Sequence, residues 1–95
     1  MPHLNVKQAI AIAKDFVVDV MADEQPTNIG LEEVRFDDRA GNWLITIGFS
    51  RPWNAEKGPL SAWSTPRRDY RMITVSDVDG TAVAMQLRDE IEANA

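Results

Sequence analysis

The chain has 95 residues, of which 44% are hydrophobic and 26% charged, and this composition predicts one soluble globular domain spanning residues 1–95. Its 15 acidic and 10 basic side chains give a net charge of −5, which disfavours nucleic acid and anionic membranes as partners. The absence of cysteine excludes disulfides and thiolate metal sites. Because the opening MPHLNVKQAI lacks the basic and apolar regions of a signal peptide, we expect a cytoplasmic protein.

An amphipathic helix is predicted from Asn5 to about Met21. Asn5 can cap it, and Gln8 three residues later completes a capping-box pattern. At about 100° per residue the apolar side chains fill roughly half of the circumference, whereas Val18 lies among the polar residues. The predicted apolar arc consists of Val6, Ala9, Ile10, Ile12, Ala13, Phe16, Val17, Val20 and Met21. An arc this broad predicts packing against a sheet.

A β-hairpin is predicted from strands at 31–37 and 42–50. Large apolar residues occupy every second position of the second strand, so they share one face, which is expected to lie over the core. These residues are Trp43, Ile45, Ile47 and Phe49, and the lighter opposite face carries Leu44, Thr46, Gly48 and Ser50. A register that places Phe36 opposite Trp43 also places Val34 opposite Ile45, which supports this hairpin.

A second hairpin is predicted from strands at 69–76 and 81–88, joined by 77–80, where Gly80 can supply a positive φ. Closing this loop is expected to set Thr74 opposite Val83, Met72 opposite Met85 and Tyr70 opposite Leu87. Ile73 and Val75 then lie on the other face with Ala84 and Ala82. We expect that face, together with Leu44, to need cover from elsewhere.

The predicted order is helix, hairpin, long loop, hairpin, followed by a frayed or short helical tail at 89–95. A single helix before a run of strands predicts an α+β fold. We expect the N-terminal helix to pack on one face of a four-stranded antiparallel meander, as a two-layer sandwich.

Residues 51–68 form a loop that is longer than most connections in compact domains, and such loops are often functional. This loop holds three prolines, two of the three tryptophans, and four basic residues against one acidic residue. Aromatic enrichment and a charge opposite to the body are typical of a binding surface. The predicted partner-binding residues are Arg51, Trp53, Lys57, Trp63, Arg67 and Arg68. Alternatively, the tryptophans cover the second sheet face and the arginines pair with the acidic body.

No catalytic or metal-binding arrangement is predicted. The single histidine, His3, is near the chain start, and no nucleophile elbow, P-loop or dinucleotide motif is present. Asp77 and Asp79 resemble a calcium loop only in part, because Thr81 and Arg88 stand at its fifth and twelfth positions. The acidic neighbours at 23–24, 32–33 and 37–38 are expected to point to opposite faces and to form a solvated rim. We therefore predict neither enzyme activity nor a cofactor.

Three segments, VKQAIAIAKDFV, NWLITIGF and YRMITVSDVDGTAVAM, resemble the PepSY-like domains. Residues 8–13 match the family's EAI-x-IA-type helix, and residues 75–83 match its closing V-D-x-x-T-G-x-V hairpin, with Gly80 in the glycine place. Ser76 and Asp79 replace the family's usual Asp and Thr. The family is best known from secreted or membrane-attached proteins. The resemblance implies a peptidase-inhibitory or protein-binding module without catalytic residues.

The leading hypothesis is a small non-catalytic protein-interaction module, either a monomer or an edge-paired homodimer. It would bind another protein through the 51–68 loop or an exposed sheet edge. The first alternative is an immunity-type inhibitor of a bacterial toxin, which shares the helix-then-sheet plan and would act through Glu32, Glu33, Asp37 or Asp38. The second alternative is a small-ligand-binding domain or enzyme with a pocket between loop and sheet.

Overall fold

A computed structural model describes residues 3–52 and 68–88 of the chain. Its elements are helix α1 (Val6–Val20), a short 3₁₀ turn (Ala22–Glu24) and four strands, β1 (Thr27–Asp37), β2 (Asn42–Ser50), β3 (Asp69–Ser76) and β4 (Thr81–Arg88). The strands form one antiparallel sheet in the order β1-β2-β3-β4. Helix α1 packs on one face of this sheet, so the predicted α+β meander is confirmed. We call this face the helix face and the opposite one the open face.

Helix α1 begins with the predicted capping box. The Asn5 side chain accepts a hydrogen bond from the Gln8 N–H at 2.8 Å, and the Gln8 side chain accepts one from the Asn5 N–H at 2.9 Å. The predicted apolar arc is too wide, because Val6 and Val20 are 42% and 50% exposed. They are the first and last helical residues, and the wholly buried helical positions lie between them.

The core lies between α1 and the two central strands. Its wholly buried members are Ala9, Ala13, Val17, Ile45, Ile47, Phe49, Ile73 and Val75. The expectation that Ile73 and Val75 lie on the second face is wrong, because Ile73 pairs with Ile45 and Val75 pairs with Trp43. Residues opposite each other in paired strands share a face, so both side chains lie under α1.

The β1–β2 hairpin has the predicted register, with Phe36 opposite Trp43 and Val34 opposite Ile45. The two rings of the first pair meet edge to face, with centroids 5.0 Å apart. Strand β1 begins at Thr27, four residues before the predicted start, and contains two register shifts. Those shifts break the period-2 pattern that defines a strand in sequence, which explains why its first part was not predicted.

The β3–β4 hairpin has the predicted bounds, and Gly80 has the expected positive φ, of 69°. Its predicted register holds only next to the turn. Beyond a register shift, Thr74 pairs with Ala84 rather than Val83, and Met72 pairs with Gln86 rather than Met85. The bulge inserts one extra residue into β4 and brings Met85 to the helix face, where it packs against the core.

Asp77, predicted as an ordinary turn residue, joins the chain start to the sheet. Its buried carboxylate accepts hydrogen bonds from the His3 and Leu4 N–H groups and from the Trp43 indole at 3.0 Å. Desolvation raises the pKa of this carboxyl, but the three hydrogen bonds lower the pKa by more, so the net pKa lies below the ordinary aspartate value.

Replacing Ile45 by alanine removes a wholly buried side chain, so we expect the free energy of unfolding to fall by roughly 2–5 kcal/mol. Val18→Ala is the matched control, because Val18 is 49% exposed and its loss should stay within about 0.5 kcal/mol. Urea denaturation followed by tryptophan fluorescence measures both. Equal losses in the two variants would contradict the described core.

Asp77→Asn should lower the melting temperature at neutral pH and flatten its dependence on acid pH. Because the folded pKa is depressed, the contribution of Asp77 is complete above the unfolded pKa of about 3.9 and is lost as the pH falls through the folded pKa. The wild-type melting temperature should therefore decline more steeply than that of the variant below about pH 4. The exposed turn residue Asp38 supplies the control, and Asp38→Asn should keep the wild-type slope. Parallel curves for wild type and Asp77→Asn would overturn this role.

Candidate functional site

The outer edge of β4, which we call the β4 edge, is the last position in the sheet order, and no described residue pairs with it. The first seven residues of the strand, TAVAMQL, carry no charge. Val83 is 56% and Leu87 72% exposed, and Val78 in the adjoining turn is 74% exposed. An uncharged edge strand with exposed apolar side chains is the kind of sheet edge that can pair with another extended chain.

The β1 edge at the other end of the sheet differs in charge and geometry. Strand β1 contains two bulges, and Asn28 at the first of them has a φ of 53°. It also carries the charged residues Glu32, Glu33, Arg35 and Asp37. Charges and repeated bulges are the features by which sheet edges avoid pairing with other chains. The β4 edge has one bulge and a single charge at its last residue, so it is the less protected edge.

An open groove separates α1 from the start of β4. It is lined by Ile12, Asp15, Phe16, Asp19, Thr81 and Ala82. The two apolar helical residues pack against the core, whereas Asp15 and Asp19 are exposed. Like charges four residues apart on a helix cost about 0.2–0.5 kcal/mol, and within residues 3–52 and 68–88 no cation pairs with either carboxylate. The groove is therefore apolar at its floor and acidic at its rim.

Arg51, one of the predicted binding residues, forms ion pairs within the chain. Its guanidinium lies 2.8 Å from Asp69 and 2.9 Å from Glu24, and the arginine side chain is only 18% exposed. The hydrogen bond to Asp69 raises the pKa of Arg51, burial lowers it, and the bond to Glu24 raises it again, so the net pKa lies above the ordinary arginine value. Arg51 thus connects the end of β2 to the start of β3 and to the turn after α1.

Arg68, a second predicted binding residue, lies on the open face above Gly48. Its Nη2 donates to Glu32 Oε2 at 3.1 Å and to the Asn28 carbonyl at 3.0 Å. A Cβ added at Gly48 would lie 2.5 Å from Glu32 Oε2 and 2.9 Å from Arg68 Nη2. The missing side chain at Gly48 is what makes room for this ion pair. Arg51 and Arg68 thus both pair with acidic residues of the same chain, which is the alternative to partner binding that the sequence predicts for the arginines of this loop.

The other predicted binding residues, Trp53, Lys57, Trp63 and Arg67, lie outside the described residues. Their role in partner binding stays a prediction, as does that of Arg51 and Arg68.

The acidic neighbours Glu32 and Glu33 do not point to opposite faces, as the sequence predicts, although both carboxylates stay partly exposed. A bulge makes Glu32 the extra residue of β1, so both side chains reach arginines on the open face. Glu32 binds Arg68, whereas Glu33 accepts a bond of 2.6 Å from Arg88, which also donates to Thr46 at 2.9 Å. These two ion pairs cross the sheet side by side.

Neither a metal-binding cluster nor a membrane-spanning helix is found among the described residues. Residues 3–52 and 68–88 contain no group of three histidine, aspartate or glutamate side chains arranged to hold a metal ion. Over the same ranges, no helix has the length and apolar content needed to cross a membrane.

No family model, no curated protein and no solved structure matches this chain. The PepSY-like resemblance therefore stays a prediction, and the inference of function rests on the geometry described above.

Sequence reasoning considered a sheet edge in general terms but did not single out Val83, Leu87 or the two groove aspartates. A signal was present for the edge, since an uncharged seven-residue run forms the last strand of a predicted meander. No comparable signal marks the groove, because its acidic rim needs the packing of α1 against β4 to be known.

Gly48→Ala should separate Glu32 from Arg68 without changing any charge. A double-mutant cycle with Glu32→Gln and Arg68→Gln should give a coupling free energy of up to about 1 kcal/mol in the wild-type background and close to zero in the Gly48→Ala background. Gly30→Ala is the matched control, because its Cβ would lie at an ordinary 3.8 Å from Arg68 Nη2. Urea denaturation measures the free energy of unfolding of every variant in both cycles. A coupling that survives Gly48→Ala would show that the pair does not depend on the glycine.

Proposed function

We propose that the chain is a small, non-catalytic, cytoplasmic protein-interaction module that pairs an extended segment of a partner protein with the β4 edge. The observation that carries this proposal is the contrast between the two edges of one sheet. The β1 edge has two bulges and four charged residues, whereas the first seven residues of β4 are uncharged and expose Val83 and Leu87.

Strand addition suits this edge for a physical reason. The backbone groups of an edge strand already lie in extended geometry, so a partner strand gains hydrogen bonds without reorganisation of the sheet. The neighbouring α1–β4 groove then receives the partner side chains that point to the helix face, and these give specificity beyond the backbone pairing. The PepSY-like resemblance, which implies a protein-binding module, is consistent with this proposal.

The 51–68 loop is a separate part of the proposal. Arg51 and Arg68 fix its two ends, one beside the turn after α1 and the other on the open face. A binding role for Trp53 and Trp63 would add to the edge rather than replace it, and variants can distinguish the two surfaces.

The immunity-type alternative receives less support. Two of the four carboxylates that it would use, those of Glu32 and Glu33, form ion pairs with arginines of the same chain. The ligand-binding alternative places its pocket between the 51–68 loop and the sheet, and because most of that loop lies outside the described residues, this alternative stays a prediction. The two grooves lined by described residues are open to solvent.

Quantitative capture from cell extract with the full chain as bait tests the proposal. We expect one dominant protein at physiological salt, lost with Val83→Lys/Leu87→Lys and kept with Val18→Lys, since Val18 is exposed on the helix away from the edge. Each bait is first checked for an unchanged melting temperature.

Trp53→Ala/Trp63→Ala baits assign the contribution of the loop. A partner lost only with these tryptophan variants would move the binding surface from the edge to the loop. Failure to capture any protein with the wild-type chain would contradict the proposal as a whole.

A further inference from the structure

We infer that the β4 edge selects a cationic strand, in which two basic residues at positions i and i+2 face Asp15 and Asp19 of α1. This inference rests on the proposed function and specifies the chemistry of the partner. The occupant is an extended peptide segment of another protein, with apolar residues flanking the basic pair on the same side.

The position of the two aspartates supports this choice of partner. Asp15 and Asp19 line the groove beside Thr81 and Ala82, at the start of the strand whose outer edge is unpaired among the described residues. Any strand added to β4 lies next to this groove, and its side chains alternate between the helix face and the open face. Every second side chain of the added strand therefore points toward the acidic rim.

The spacing of Asp15 and Asp19 along α1 matches the spacing of neighbouring side chains on one face of a β-strand. Four residues of an α-helix rise about 6 Å, and two residues of a β-strand rise about 6.6 Å. Two basic side chains on the same face of an added strand thus have nearly the separation of Asp15 and Asp19. The basic residues of α1 do not compete, since Lys7 and Lys14 fall on the other flank of the helix at about 100° per residue.

The apolar requirement follows from the rest of the groove. Ile12 and Phe16 are partly buried and line it beneath the acids. Further along β4, Leu87 is 72% exposed. It pairs with Arg71, which pairs in turn with the core residue Ile47, so Leu87 lies on the helix face. An added strand can cover these side chains with apolar residues on either side of its basic pair.

A second copy of this chain is a poorer occupant. Each copy carries a net charge of −5, and a strand identical to β4 offers one basic residue, at its last position, where the inferred partner offers two. Charge complementarity therefore favours a different, cationic chain.

Three capped peptides of matched pattern test the inference on the full-length chain. They are Val-Thr-Lys-Thr-Lys-Thr-Val and the versions in which both lysines are replaced by glutamine or by glutamate. The order of the helix-facing side chains is the same from either end of the peptide, so parallel and antiparallel addition present the same residues to the groove. Amide chemical shifts of the isotope-labelled protein report where each peptide binds, and a titration gives Kd.

We expect the lysine peptide to shift the β4 amides and to bind about tenfold more tightly than the glutamate peptide at low salt, with the glutamine peptide between them. This preference should shrink at high salt, because exposed charge pairs are screened. In the Asp15→Asn/Asp19→Asn variant, the lysine and glutamate peptides should bind with nearly equal Kd. Asp23→Asn/Asp38→Asn, which changes two exposed acids outside the groove, should leave the tenfold ratio in place.

The outcomes separate this inference from the proposed function. Equal binding of all three peptides at β4 overturns the charge selectivity and leaves strand addition standing. No response of β4 to any peptide at millimolar concentration overturns both. A dimer of the free chain that Val83→Lys/Leu87→Lys dissociates identifies a second copy as the occupant. Protection of β4 amides that is lost on truncation after Arg88 assigns the edge to the chain's own tail, and either result overturns the inference.

Discussion

The structure depends on one geometric constraint, which is that a single helix must cover a sheet of four strands. An α-helix is about 10 Å across with its side chains, whereas neighbouring strands lie about 4.8 Å apart, so one helix covers roughly two of them. In this protein the covered strands are β2 and β3, which supply every wholly buried side chain of the sheet's hydrophobic core. Both outer strands extend beyond the helix. The β1 edge is charged and bulged, whereas the first seven residues of β4 are uncharged.

Among the described residues, the open face is covered by ion pairs rather than by a second helix. Arg88 reaches from the last strand to Thr46 and Glu33, and Arg68 lies across Gly48 to reach Glu32. The stems of long arginine side chains cover apolar surface while their guanidinium groups stay partly in water. Such pairs add little to stability individually, but in the part of the chain that the structure describes they occupy the centre of the face, and the strand edges are its more accessible surfaces.

The elements that the sequence predicted well are those fixed by local patterns. The alternation in β2, the capping box at Asn5 and the glycine turn at Gly80 each arise within a few residues, and all are present. The sheet face on which Ile73 lies could not be predicted from the local sequence, because the register between β2 and β3 is set across the long 51–68 connection. Bulges were also beyond the sequence pattern, since one inserted residue changes which side chains face the core without a distinctive sequence signal.

The candidate site shows the same division between local and non-local information. The uncharged run in β4 is visible in sequence, but its position at the edge depends on strand order. The pairing of Glu32 and Glu33 with arginines depends on a bulge, and without it these residues would be expected on opposite faces. Sequence reasoning therefore favoured the aromatic and basic loop, whose composition stands out without any knowledge of the fold, and it gave less weight to the edge.

The acidic rim also explains how an uncharged edge can be kept from indiscriminate pairing. An unprotected strand is a hazard because it accepts any extended chain through backbone hydrogen bonds, which carry no sequence information. Asp15 and Asp19 stand beside this edge at a small cost to the helix, and their charge disfavours acidic strands. In the proposed binding mode, specificity comes from the charge of the groove, whereas affinity comes from the strand ladder. Under this proposal, separating the two functions lets a small domain keep an open edge for one class of partner without becoming a template for aggregation.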